Sequence, residues 1–184
     1  MLLLVVALIV PALGARPGFT DTGSLEWRDC GFGDSWVSVK QFDITPLPIK
    51  LPGDMTVSLE VEIKQYLSDQ FTMDVFIEKK LLGIFIKVPC FHDLGTCHHT
   101  DPCNILYTLQ QQGSCPPQLS AYGLSCICPF SPKTHHMPPT RFTVSISDAW
   151  RIFIDGEFHI KITMHDKMTK QLRGCVETYL EIAA

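Results

Sequence analysis

MTVSLEVEI, residues 55–63, decides the fold class. Met55, Val57, Leu59, Val61 and Ile63 fall on one side of an extended chain; Thr56, Ser58, Glu60 and Glu62 fall on the other. Successive side chains of a strand point to opposite faces, so this period of two describes a strand with one face in a core and one in water. The pattern returns in Phe71–Glu78, with Phe71, Met73, Val75 and Ile77 on one side, and in Glu157–Met164, with Phe158, Ile160, Ile162 and Met164. Val176, Thr178, Leu180 and Ile182 give a last strand, and Val37–Ile44 and Arg141–Ile146 are weaker versions. Sheets with one wet face are commonly antiparallel, so the expected class is all-β, a sandwich or an open barrel. One short helix is expected after Asp101, which can cap it. Pro102 suits the first helical position, Ile105, Leu106 and Leu109 form an apolar stripe, and Gly113 ends it.

At 184 residues the chain is expected to form one domain, large enough to bury a core. The net charge of −4 argues against nucleic acid as a partner. Leu2 to Val10 is an unbroken apolar run closed by Pro11, and Ala12-Leu-Gly-Ala15 offers small residues for cleavage. Residues 1–15 therefore read as a signal peptide and 16–184 as a single mature domain. The run is too short to span a bilayer, which takes about 20 apolar residues. A secreted chain with eight cysteines reads as four bridges, and spacing alone does not choose among the 105 pairings.

The stretch CFHDLGTCHHTDPC, residues 90–103, holds three cysteines, three histidines and two aspartates. Structural zinc sites bring ligands in C-x₂₋₄-C and H-x₃₋₅-H pairs. Here six residues separate Cys90 from Cys97, and only one separates Cys126 from Cys128. No metal site is expected, and the bland reading is disulfides with solvated histidines. His92-Asp93 faintly resembles a phospholipase pair, but Pro89 and Gly95 break the helix that such a histidine needs. No G-x-S-x-G elbow is present. The carboxylates Asp74, Glu78, Asp93 and Asp155 have no visible pairing for glycoside hydrolysis. No catalytic residue is expected.

Two stretches are more apolar than turns should be: Leu81-Leu-Gly-Ile-Phe-Ile86 and Ala149-Trp-Arg-Ile-Phe-Ile154. They read either as buried strand ends or as an apolar rim touching lipid, and Trp150 beside Arg151 is an interfacial kind of pair. The rim reading names Leu81, Leu82, Ile84, Phe85, Trp150, Ile152 and Phe153 as lipid or membrane contacts.

Glu26-Trp-Arg-Asp-Cys30, Pro48-Ile-Lys-Leu-Pro-Gly-Asp-Met-Thr56, Glu78 to Cys90, Tyr122-Gly-Leu-Ser-Cys-Ile-Cys-Pro-Phe130 and Arg173-Gly-Cys175 together resemble the ganglioside activator family, within the lipid-recognition (ML) superfamily. The likeness runs from about Trp27 to the end and includes all eight cysteine positions. It implies an antiparallel β-cup around an apolar cavity for lipid tails, with bridges Cys30–Cys175, Cys90–Cys97, Cys103–Cys128 and Cys115–Cys126. It also implies no cofactor beyond a bound lipid, residence in the lysosome by way of the secretory pathway, and β-hexosaminidase A as partner. The protein would lift a ganglioside from a membrane, and the partner would do the hydrolysis. The alternatives are a secreted lipid carrier of the same fold with no enzyme partner, or a weak lipid esterase. Two positions depart from the family. Its P-G-N-x-T glycosylation site reads Pro52-Gly-Asp54-Met-Thr56, and a tryptophan usual in the first apolar loop is Phe85. The one asparagine, Asn104, makes no sequon.

The physics of such a task is demanding. A ceramide carries on the order of 30 methylenes, and exposing them at about 0.8 kcal/mol each would cost roughly 24 kcal/mol. Only a cavity can receive the tails. Protonating all seven histidines takes the formal charge from −4 to −4 + 7 = +3, so acidification is expected to favour an anionic membrane surface.

Overall fold

The computed structural model describes residues 20–21, 25–91, 93–124, 126–146 and 153–184. The signal-peptide reading, His92, Trp150 and Ile152 lie outside them. Among the described residues the strands are β1 (Thr20–Asp21), β2 (Glu26–Asp29), β3 (Val37–Thr45), β4 (Ile49–Lys50), β5 (Gly53–Ile63), β6 (Phe71–Leu81), β7 (Ile84–Lys87), β8 (Cys97–His99), β9 (Lys133–Val144), β10 (Gly156–Asp166) and β11 (Leu172–Ala183). They form two sheets. The larger runs β1-β2-β11-β10-β6-β7, with β8 also on β6 and the two-residue β4 lying parallel to β11. The smaller is β3-β5-β9. All other pairings are antiparallel.

Each alternating segment is a strand, as its period of two requires. β9 begins eight residues before the expected Arg141. It contains Pro138 and Pro139, which cannot donate to a ladder, and it is tolerated because β9 is the outer strand of its sheet, paired on one side to β5. Helix α1 (Pro102–Gln111) starts as expected: the Asp101 carboxylate accepts from the Asn104 N–H at 3.0 Å, Pro102 opens the first turn, and Gly113 follows at φ +66°. The expectation of a single helix is corrected by α2 (Pro117–Ala121), a five-residue turn. It is too short to show a periodic stripe, and it opens on the proline pair, with Pro116 at the cap and Pro117 at the first helical position.

Two apolar clusters close the molecule. Leu25, Trp27, Ile44 and Ile49 seal the side where β2 and β11 meet β3, with Trp27 edge-on to Phe42. Ile63, Leu67 and Phe71 seal the bottom, against Trp36, Phe130 and Met164. The four bridges are Cys30–Cys175, Cys90–Cys97, Cys103–Cys128 and Cys115–Cys126, the pairs the family resemblance implies, and no cysteine is free. Cys103–Cys128 and Cys115–Cys126 tie α1 and α2 to the chain before β9, a region with little sheet of its own.

Candidate functional site

Cross-strand register aligns the inward residues of the large sheet in rows: Met73–Met164–Gly174, Val75–Ile162–Val176 and Ile77–Ile160–Thr178. In a filled sandwich these central apolar side chains would be fully buried. Met73, Val75, Ile77, Ile160, Ile162, Met164 and Val176 are only half-buried. Facing them on the small sheet, Val37, Val39, Val57 and Leu59 are half-buried as well. The interior is therefore lined but not filled. A cavity of about 90 Å³ lies within it, between Val37 and Val39 on one side and Met73, Ile162, Met164, Gly174, Cys175 and Val176 on the other. One water needs only about 10–15 Å³ of such space, and an apolar lining gives water nothing to bond. The Cys30–Cys175 bridge forms part of this wall.

At one end of the large sheet the chain turns through Leu82-Gly83, with φ of +52° and +83°. Two left-handed residues make the tight hairpin turn that usually takes Asn-Gly. Leu82 instead puts a fully exposed apolar side chain at the tip, in a backbone region that a branched residue adopts only at a cost. Leu81, Ile84 and Ile86 are exposed beside it. Phe153 is 66% exposed, and its carbonyl accepts from Lys79 Nζ at 3.1 Å, which brings the second apolar stretch to the same end. Phe85 lies on the other face of β7, over Tyr179 and His159 with the Lys80 ammonium above its ring. So Leu81, Leu82, Ile84 and Phe153 gather at one rim, and Phe85 turns away from it.

The 90–103 stretch is distributed, not convergent. Cys90–Cys97 closes a small loop. His98 Nδ1 meets Asp74 Oδ1 at 2.6 Å, and His165 Nδ1 meets Asp74 Oδ2 at 3.2 Å. His99 is buried, 3.9 Å from Asp93, and His136 is 3.3 Å from Glu60. Each of these histidines faces a carboxylate, so protonation changes local fields as well as net charge. Asp54 is tied to Arg141 and Thr143, whose hydrogen bonds hold its carboxyl below the ordinary range.

The outer face of the large sheet carries a cluster that sequence reasoning assigned to water. His159 is 9% exposed, stacked on Tyr179 at 4.4 Å, with Phe76 and Phe85 edge-on. Its Nδ1 lies 2.8 Å from Glu78 Oε2 and its Nε2 lies 2.7 Å from Glu177 Oε1. Arg28 Nε donates to Glu177 Oε2 at 2.7 Å. Burial pushes the Glu177 carboxyl up, but the hydrogen bonds from His159 and Arg28 outweigh it and hold the group below its ordinary value. The available signal was Phe76 and Tyr179, aromatic residues at positions whose parity is otherwise polar.

A carboxyl depressed by folding stabilises the native state above its unfolded value, about 4.3, and that contribution is lost as pH falls through the folded value. Glu177→Gln is therefore expected to cost about 1.5–3 kcal/mol at pH 6, the worth of hydrogen bonds to a charged group. In urea unfolding from pH 6 to pH 3, the gap between wild type and variant should narrow as pH falls. A constant gap contradicts the assignment.

An antiparallel cup of two sheets, stapled by four disulfides, with an unfilled apolar inside and an apolar rim, defines a protein built to hold hydrocarbon. The chain belongs to the ML-domain family, whose model matches residues 24–182. It is similar to the ganglioside GM2 activator of Mus musculus, 34% identical over 143 residues covering 77% of this chain and 74% of that one. It is also similar to the ganglioside GM2 activator of Macaca fascicularis, 30% identical over 167 residues covering 90% and 87%. A solved C-terminal domain of wzt overlaps 92% of this chain and 83% of its own at 9% identity and a TM-score of 0.38, too loose a likeness to carry weight.

Proposed function

We propose that this protein takes a ganglioside from a membrane into its cup and presents the sugar to a glycosidase, β-hexosaminidase A, in the lysosome. The observation that carries this reading is the half-buried apolar inner face of β6, β10 and β11, with the cavity of about 90 Å³ that lies against it. The likeness to proteins named ganglioside GM2 activator supports the choice of lipid. The catalytic groups belong to the partner; this chain supplies the transfer from a bilayer that a soluble enzyme cannot make.

The test is hexosaminidase-catalysed release of sugar from ganglioside, in micelles or vesicles, with and without this protein. Stimulation on membrane-held substrate but not on a soluble substrate is the expected result. Transfer of labelled ganglioside between vesicles without any stimulation would instead make the protein a carrier with no enzyme partner. Ester hydrolysis by the purified chain would favour the esterase reading.

The rim makes a second expectation. Exposed Leu82 and Ile84 would enter the interface, and replacing both by aspartate removes two apolar contacts and adds two charges. Binding to vesicles of neutral and anionic lipid should fall about tenfold or more, while stability changes by no more than about 0.5 kcal/mol, as for other surface substitutions. Unchanged vesicle binding would remove these residues from the contact.

A further inference from the structure

The cluster around His159 has no part in holding hydrocarbon, yet it sits at the base of the rim. Glu78 is three residues before Leu81, and His159 is three residues after Gly156, which follows the Phe153 segment. Phe85, which covers the ring, is flanked in β7 by the rim residues Ile84 and Ile86.

Both ring nitrogens of His159 lie within 2.8 Å of carboxylate oxygens. A neutral imidazole has one N–H, and an ionised carboxylate only accepts. With both carboxylates ionised, only an imidazolium can make both contacts. The geometry points to a proton-operated clasp: His159, doubly protonated, pins Glu78 of the rim hairpin to Glu177 of the sheet, and loss of its proton releases one contact and lifts Phe85.

The release follows from the surroundings. When the ring is neutral, one carboxylate oxygen is left against a nitrogen lone pair at hydrogen-bond distance. Glu177 is buried and keeps Arg28, whereas Glu78 is half-buried and has the ring as its contact here. The carboxylate that loses the N–H must draw more water, and Phe76, Phe85 and Tyr179 crowd the ring where that water would enter. Tyr179 and Phe76 lie on long central strands; Phe85 lies on β7, a four-residue edge strand, and is the part that can move.

The charged groups facing the ring come from every neighbouring strand. Register places Glu78 and Lys80 of β6, Glu157 and Lys161 of β10 itself, Glu177 and Glu181 of β11, Glu26 and Arg28 of β2, and Lys87 of β7 on this face. Lys80 is engaged with Glu157 at 2.7 Å, and Arg28 with Glu177. Glu78 and Glu177 are the carboxylates in contact with the ring. Acidification adds the ring's second proton, so the clasp closes as pH falls.

That this controls lipid handling rests on the role proposed for the rim; the clasp itself does not. Nitrogen NMR of the wild-type imidazole is expected to show both ring nitrogens of His159 protonated at pH 5 and one at pH 7.5. Amide exchange in residues 81–87, corrected for intrinsic rate, should be about tenfold or more faster at pH 7.5 than at pH 5. In Glu78→Gln the side-chain amide can donate to an unprotonated Nδ1, so a neutral ring keeps both contacts and the pH dependence of exchange should flatten. A singly protonated ring at both pH values, or the same pH dependence in wild type and Glu78→Gln, would overturn the clasp. If the clasp signals appear and vesicle transfer does not respond to pH, the clasp stands and its link to lipid fails.

Discussion

Replacing Cys30 and Cys175 together by serine is expected to lower the unfolding free energy by about 5 kcal/mol, the loop-closure value for a sequence separation of 145. That is a large part of the roughly 5–15 kcal/mol available to a domain. The effect should be large here because the bridge stands where packing is missing. Cys175 lines the cavity beside Val176 and Met164, which pack on the Trp27 and Phe71 clusters on one side and face the open space on the other. The same change at Cys90 and Cys97, separated by 7, should cost about 2.5 kcal/mol by the same relation. Urea unfolding of both variants measures the difference. A loss below about 1 kcal/mol for the long bridge would mean that the two clusters around Trp27 and Phe71 hold the sheets without it.

The second large effect concerns the empty interior. Enlarging side chains in a packed core costs typically about 1–3 kcal/mol through strain. Ile162→Phe with Val176→Phe places two rings side by side, because these residues are cross-strand partners facing the cavity. In an unfilled cup they enter free space and bury new apolar surface, so stability should hold or rise. The same rings take the place of lipid. Excluding about four methylenes forfeits about 3 kcal/mol, or about a hundredfold in affinity for a fluorescent-chain lipid. Stability retained and binding lost together are the signature of a cup. Stability lost by several kcal/mol would mean that the centre is already full.

How much of this could be read from residues alone depended on which force set each feature. Met55–Ile63, Phe71–Glu78 and Glu157–Met164 declared themselves because one wet face and one apolar face enforce a period of two. Asp101-Pro102 declared α1 because the first turn of a helix needs an acceptor and tolerates a missing N–H. The first part of β9 stayed hidden: two prolines argue against a strand, and only the knowledge that it is an edge makes them acceptable. The emptiness of the cup was hidden for a deeper reason. A Val or Ile facing a cavity has the same alternation as one facing a core, and only the opposite sheet's distance separates the two. The rim was half legible. Leu81, Leu82, Ile84 and Phe153 meet at one end, but Phe85 has the opposite parity along β7. His159 was missed because its face carries glutamates and lysines, and it took Tyr179 from a strand 20 residues later to bury it.

The paired prolines of β9 have an effect on company as well as on shape. Among the described residues the three-stranded sheet ends in a 12-residue strand paired on one side only, and such an edge is a template on which a second copy could grow. Pro138 and Pro139 break the run of donors midway along that edge, and the exposed Lys133 and Arg141 add charge on either side of them. Along that border a second copy would find no unbroken row of donors to stitch itself to, even with the greasy interior turned toward a bilayer.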